Sequence, residues 1–319
     1  MKVIEVENLV KRYKKADKNA VDDISFSVDK GQFFAFLGPN GAGKTTTISI
    51  LTTTLSKTSG EVKIAGYDLE KESSQVRSSV GIIFQNPSLD QNLTAEENIR
   101  LHVVLYGLYQ FQPFYSLMPE SYRKRVEDLA DVLGIKAEVH KAIKTFSGGM
   151  KRKLEIIRSL MHQPKVLFLD EPTIGLDPIS RKNLWEYLQQ IRKTEKITVF
   201  LTTHYLEEAE EADQVCIINK GKVLVQGTPN QIKKHLIREY IAVDAKDRTK
   251  LELELKKLKL DFEKNEHIKI NIPSSQIQKV ICQIKVPLSF IQTHNPTLED
   301  AYIEIIERDA REEPNEQIK

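Results

Sequence analysis

A chain of 319 residues with 40% hydrophobic side chains has room for one large domain and a smaller second one. Its 47 basic and 45 acidic residues leave a net charge of +2, which gives no electrostatic footprint for nucleic acid. The charged start MKVIEVENLVKRYKK argues against a signal peptide, and no run approaches the roughly 18 apolar residues of a membrane span, so a chain soluble on its own is expected.

Alternation at Ile24-Ser25-Phe26-Ser27-Val28 predicts a half-buried strand of the antiparallel kind. The continuously apolar Phe33-Phe34-Ala35-Phe36-Leu37 then enters Gly38-Pro39-Asn40-Gly41-Ala42-Gly43-Lys44-Thr45-Thr46, and the chain leaves through Thr47-Ile48-Ser49-Ile50-Leu51. Strand, glycine-rich turn and helix in that order make a phosphate-binding loop. Backbone N–H groups point at phosphate oxygens, and the helix aims its positive end at them. Gly38, Gly41 and Gly43 permit the bend, Lys44 reaches the β- and γ-phosphates, the Thr45 hydroxyl ligates Mg²⁺, and Thr46 adds a donor.

Alternation returns at Glu61-Val62-Lys63-Ile64-Ala65-Gly66, a second antiparallel strand. By contrast, Val80-Gly81-Ile82-Ile83-Phe84, Val166-Leu167-Phe168-Leu169 and Ile197-Thr198-Val199-Phe200-Leu201 are short unbroken apolar runs, suited to a parallel sheet buried on both faces. Ligands bind at the ends of such strands. Gln85 follows the first run and can bridge Mg²⁺ or the attacking water to a neighbouring surface. Asp170 and Glu171 follow the second: Asp170 can hold Mg²⁺ through water, and Glu171 can orient or deprotonate the attacking water. His204 follows the third and can donate to the γ-phosphate.

Between about Leu93 and His162 the pattern is helical, with Met150, Leu154, Ile157 and Met161 on one stripe. Ser147-Gly148-Gly149 opens that last helix, and a helix N-terminus is an anion site. Tyr109 to Pro119 lacks a clean period; its aromatics suit either a surface that receives a partner or ordinary loop packing. Cys216 and Cys282 lack metal-ligand spacing and are expected to be buried free thiols in a reducing cytosol.

After Gly227-Thr228-Pro229 the pattern changes. Glu239 to Val243 reads as a strand, Leu251, Leu255 and Leu258 share a helix face, and Ile268, Ile270 and Ile272 alternate. Ile277, Val280, Ile281 and Ile284 form a helical stripe before a strand near Phe290-Ile291, giving a βαββαβ, ferredoxin-like order without a catalytic constellation. Thr297 caps a final helix start, and beyond Arg308 the charged, proline-containing tail is expected to be disordered.

Taken together and in order, these motifs resemble the ATP-binding subunit of an ABC transporter over Met1 to about Lys234. The resemblance implies that Tyr13 stacks on adenine, Gly38 to Thr46 is the Walker A motif and Gln85 begins the Q-loop. It implies further that Asp170 and Glu171 close the Walker B strand, Gly175-Leu176-Asp177 form the D-loop, and His204 is the switch histidine. Ser147, Gly148, Gly149 and Asp177 would then complete the ATP site of a second copy, across a homodimer. The signature here has Phe146 and Met150 where Leu and Gln are usual, which puts in question only what the last side chain contributes. The D-loop has Ile174-Gly175 where Ser-Ala is usual. The form Thr173-x-Gly175-Leu176-Asp177-Pro178 resembles the branch that powers exporters of drugs, polysaccharides or lipids through a separate integral membrane permease.

The implied fold is an α/β P-loop NTPase core with a mostly parallel sheet, an antiparallel β subdomain and a helical insertion, followed by a small α+β ferredoxin-like domain. Expected bounds are 1–230 for the ATP-binding domain, with the insertion at about 90–163, then 231–308 for the small domain and 309–319 for the tail. The implied activity is ATP hydrolysis with Mg²⁺, on the cytoplasmic face of the membrane and without nucleic acid. Two alternatives stay open. A soluble ABC-type ATPase acting on nucleic acid or ribosomes usually has two cassettes or long coiled-coil insertions, and a P-loop enzyme phosphorylating a small molecule leaves Ser147-Gly148-Gly149 and His204 unexplained.

Overall fold

A computed structural model describes residues 1–85, 88–236, 240–294 and 297–312. In chain order, β1 (Lys2–Lys11), β2 (Val21–Asp29) and β3 (Phe33–Leu37) lead into α1 (Lys44–Leu51). Next come β4 (Ser59–Ile64), β5 (Tyr67–Asp68), α2 (Ser73–Ser79) and β6 (Val80–Ile83). Three helices follow: α3 (Ala95–Leu105), α4 (Glu120–Val132) and α5 (Gly148–Leu160). The first part closes with β7 (Val166–Asp170), α6 (Pro178–Glu195), β8 (Thr198–Thr203), α7 (Leu206–Glu210), β9 (Gln214–Asn219) and β10 (Lys222–Gly227). The remainder is α8 (Pro229–Leu236), β11 (Tyr240–Ala245), α9 (Arg248–Lys257), β12 (Phe262–Lys264), β13 (Ile268–Asn271), α10 (Ile277–Gln283), β14 (Leu288–His294) and α11 (Leu298–Glu312). These elements form two compact units, Met1–Gln226 and a second from Gly227 onward.

The first unit holds two sheets. The antiparallel one runs β2-β1-β4-β5, as the alternating segments predict, and the larger one runs β10-β9-β3-β8-β7-β6. In the larger sheet β3, β6, β7, β8 and β9 pair in parallel. β3 is central because all five of its residues are apolar and buried, so it can be flanked on both edges and covered on both faces. A core of aromatic rings packs between the sheets: Phe26 lies 5.4 Å from Phe36, Phe34 5.2 Å from Phe200 and Phe168 5.3 Å from Phe200, centroid to centroid. The register matters for function. Leu37 pairs with Thr203 and Asp170 with Thr202, so the carboxyl ends of β3, β7 and β8 finish level.

The helical insertion is built from capped amphipathic helices. At the start of α3, Thr94 accepts the Glu97 N–H while the Glu97 carboxylate accepts the Thr94 N–H, a reciprocal capping box. Leu154 and Ile157 of α5, and Met161 just past its end, are buried as the stripe predicts, whereas Met150 in its first turn is half-buried.

In the second unit the strands order β12-β13-β11-β14, all antiparallel, with Ile241 opposite Ile270 and Val243 opposite Ile268. These side chains pack with Leu251, Leu255 and Val280 from the two helices, giving the unit its own core in the ferredoxin-like arrangement. Glu239, expected to start the first of these strands, lies outside the described residues. Two expectations are corrected. Cys282 is exposed, because it falls off the Ile277-Val280-Ile281-Ile284 stripe, whereas Cys216 is buried in β9 and its thiol is pushed up by desolvation. The last helix runs to Glu312, past Arg308, where disorder was expected to begin. Ion pairs one turn apart, Arg308 to Glu304 and Arg311 to Glu307 at 2.7 Å each, offset the charge of that segment; residues 313–319 lie outside the description.

Candidate active site

The level strand ends bring the predicted residues to one place. A cleft of about 360 Å³ is lined by the loop from Pro39 to Thr46, all but Ala42, together with Ala20, Gln85 and Glu171. The glycines make the loop possible. Gly43 caps α1 at φ +106°, a conformation closed to most side chains, and a Cβ there would stand 2.5 Å from the Ala20 carbonyl oxygen. At Gly38 a Cβ would stand 2.4 Å from the Ile218 carbonyl oxygen of β9. The loop is also tied to the turn after β9, where the Gly221 N–H donates to the Ala42 carbonyl at 2.9 Å and the Asp22 N–H to the Gly221 carbonyl at 2.8 Å.

Lys44, buried at the helix start, donates to the carbonyls of Gly38 at 2.7 Å and Pro39 at 3.2 Å. Its Nζ lies 3.4 Å from Glu171 Oε1, and the same carboxylate oxygen lies 3.5 Å from His204 Nδ1. Glu171 adopts φ +46°, left-handed backbone for a non-glycine residue. Its N–H pins that conformation by donating to the carbonyl and the hydroxyl of Thr202, both at 3.1 Å. Thr202 Oγ1 donates in turn to Asp170 Oδ1 at 2.5 Å. Tyr13, on the loop after β1, is half exposed beside the phosphate loop, with its hydroxyl 3.2 Å from Thr46 Oγ1.

The remaining predicted residues lie at helix starts. Ser147 caps α5 by accepting the Met150 N–H at 3.2 Å, and Ser147 and Gly148 are exposed. Asp177 caps α6, accepting the N–H groups of Ile179 and Ser180 at 3.0 Å and the Ser180 hydroxyl at 2.5 Å. The hydroxyl and backbone donors of Ser180 hold its carboxyl below the usual carboxylate range. Within one chain, neither Ser147 nor Asp177 lines the cleft with the phosphate loop.

Sequence reasoning missed the groups that hold these parts together. Arg152, buried in α5, donates to the carbonyls of Phe84 at 2.7 Å, Gln85 at 3.2 Å and Pro172 at 2.9 Å, and pairs with Glu155 at 2.9 Å. Burial pulls its guanidinium below the usual range, opposed by Glu155. Glu155 accepts the Ser88 N–H at 3.0 Å, and Arg158 donates to the Ser88 carbonyl and hydroxyl at 2.6 Å. The segment around Gln85 is thus bolted to α5 on both sides. The only sequence signal was a run of charges, Lys151 to Lys153 and Glu155, inside an otherwise apolar stripe.

Parallel sheet, phosphate loop at its carboxyl edge, and paired carboxylates at the end of β7, one strand removed from β3 across β8, define a P-loop ATPase cassette. A family model described as ABC transporter matches residues 21–174. The linearmycin resistance ATP-binding protein LnrL of Bacillus subtilis is 38% identical over 235 residues, 73% of this chain and 72% of that one. The Nod factor export ATP-binding protein I of Ralstonia nicotianae is 37% identical over 236 residues, 74% of this chain and 70% of that one. Among solved structures, an ATP-binding subunit of an ABC transporter superposes with a TM-score of 0.63 at 31% identity, covering 73% of this chain and 92% of the other. The chain belongs to the ABC transporter family, as an ATP-binding, ATP-hydrolysing subunit.

Proposed function

We propose that this subunit dimerises around two ATP molecules and, by closing and opening, drives export through a separate integral membrane permease. The convergence of Lys44, Glu171 and His204 beside the phosphate loop carries the proposal. Lys44 and the loop N–H groups take the β- and γ-phosphates, and Tyr13 stacks on adenine. Glu171 accepts a proton from the attacking water as its oxygen bonds to the γ-phosphorus and the bond to the bridging oxygen breaks, releasing ADP and phosphate. His204 fixes Glu171 and donates to the γ-phosphate. Thr45, Gln85 and, through water, Asp170 are oxygen donors suited to Mg²⁺, which when bound neutralises charge between the β- and γ-phosphates. Ser147, Gly148, Gly149 and Asp177 serve the ATP held by the second copy; their exposed helix starts support that reading.

Export follows the names of the relatives, a linearmycin resistance protein and a Nod factor export protein. The nucleic-acid alternative draws no support from them. Among the described residues no helix is long and apolar enough to cross a membrane, which fits a permease on a separate chain and a place at the cytoplasmic face. The helical insertion presents exposed Leu105, Phe111, Phe114 and Leu117, a surface suited to an apolar partner, whereas Met118 from the same stretch is buried. Purification from membranes tests the proposal. An integral membrane protein is expected to co-purify, and Glu171→Gln is expected to bind ATP, accumulate a dimer and scarcely hydrolyse. Bound nucleic acid, or a fully active Glu171→Gln enzyme, overturns it.

A further inference from the structure

The loops carrying Glu171 and His204 meet at a carboxylate that the mechanism above does not use. Glu208 lies in α7 and is 2% exposed. Thr173 Oγ1 donates to its Oε1 at 2.5 Å, and Thr203 Oγ1 donates to its Oε2 at 2.6 Å. Thr173 stands two residues after Glu171, and Thr203 immediately before His204; both are buried. The Thr203 hydroxyl also accepts the N–H of Tyr205 at 2.9 Å, so it clasps the backbone on the far side of His204. Among the described residues no cation pairs with Glu208.

A buried carboxylate satisfied by two hydroxyls alone is a costly way to fill space, and a small apolar side chain would be cheaper if packing were its role. What a carboxylate supplies and an apolar side chain does not is two polar atoms at fixed separation, one for each loop. We propose that Glu208 is a positioning residue, a two-armed strut that sets the spacing between the Glu171 loop and His204. Through it the His204 imidazole is kept within reach of Glu171 when the loops move. The inference rests on the roles proposed for Glu171 and His204.

The test is ATP hydrolysis by the full-length chain in single-turnover form, with ATP binding and thermal unfolding measured on the same samples. Glu208→Ala is expected to slow hydrolysis roughly 10- to 100-fold, the scale of a misplaced catalytic group, with ATP affinity changed less than about twofold. Glu208→Gln is expected to recover most of the rate, since an amide can accept from one hydroxyl and donate to the other. In a His204→Ala background, removing Glu208 is expected to cost little more, because the strut acts through His204. An equal loss in both backgrounds, or full activity of Glu208→Ala, overturns the proposal. If Glu208→Ala does not fold, Thr203→Val against Thr203→Ser gives the same comparison: slower with valine supports the strut, and equal rates overturn it. Glu171→Gln separates the two levels. Its inactivity beside a fully active Glu208→Ala sinks the strut alone, whereas an active Glu171→Gln sinks the site assignment.

Discussion

Lys44 sits among two carbonyls and the Glu171 carboxylate, acceptors that a phosphate replaces. Charge-assisted hydrogen bonds are worth about 1.5–3 kcal/mol, so Lys44→Ala is expected to weaken ATP binding roughly 10- to 150-fold in an equilibrium titration. A second prediction belongs to His102 in α3. Burial, helped by Arg158 and His162, pushes its imidazole down to about 3, and its ring lies tilted against Tyr106 at 4.4 Å between centroids. The unfolded chain therefore binds a proton there, below its ordinary pKa of about 6.5, that the fold refuses. Stability is complete above that pH and declines as pH falls toward the folded value. Thermal midpoints measured between pH 7 and pH 4 are expected to fall, and His102→Gln is expected to flatten that slope. Lys44 and Glu171 were legible because their neighbours in sequence state their roles. Glu208 was not: in Leu206-Glu207-Glu208-Ala209-Glu210-Glu211 it reads as one more charge on a solvated face, and only its long-range threonine partners set it apart.

Of the helices, α5 does the most joining. Its first residue follows Ser147, and its Arg152, Glu155 and Arg158 grip Phe84, Gln85 and Ser88. Arg152→Met keeps the length of the side chain but strands three carbonyls and Glu155. Breaking a buried pair costs at least about 3 kcal/mol, which lowers the thermal midpoint of a domain this size by roughly 6–12 °C. Amide exchange at Ser88 is expected to quicken in the same variant, as hydrogen-exchange mass spectrometry can read. Periodicity announced that α5 was a helix and which stripe it buries, but not that arginines on it reach carbonyls some seventy residues earlier in the chain. A long side chain's target depends on topology, which a local pattern does not contain. The continuation of α11 was missed for a related reason: its support is charge pairing one turn apart, and composition alone makes the same charges look disordered.

For the whole molecule, the unbroken apolar runs announced a parallel sheet, and strand-end chemistry followed. The register that levels Leu37, Asp170 and Thr203 was invisible, because several offsets of such runs bury equal apolar area. In the proposed dimer each chain owns half of each site. Ser147→Ala is therefore expected to leave ATP binding by the monomer within about twofold while abolishing most hydrolysis, as titration and turnover assays on one preparation can show, since one hydroxyl acts on the partner's nucleotide alone. Among the described residues, the second unit, with its own core, carries no comparable constellation. One further feature reaches beyond the site. The floor under Gly38 is the Ile218 carbonyl, and the turn at Gly221 holds Ala42 from the side. Heredity can therefore damage nucleotide binding from two addresses: the familiar one at 38–46, and another at 218–221, a stretch without a single phosphate-seeking motif. Variants in that turn belong with loop variants when their inheritance is interpreted, however ordinary the turn looks in the sequence.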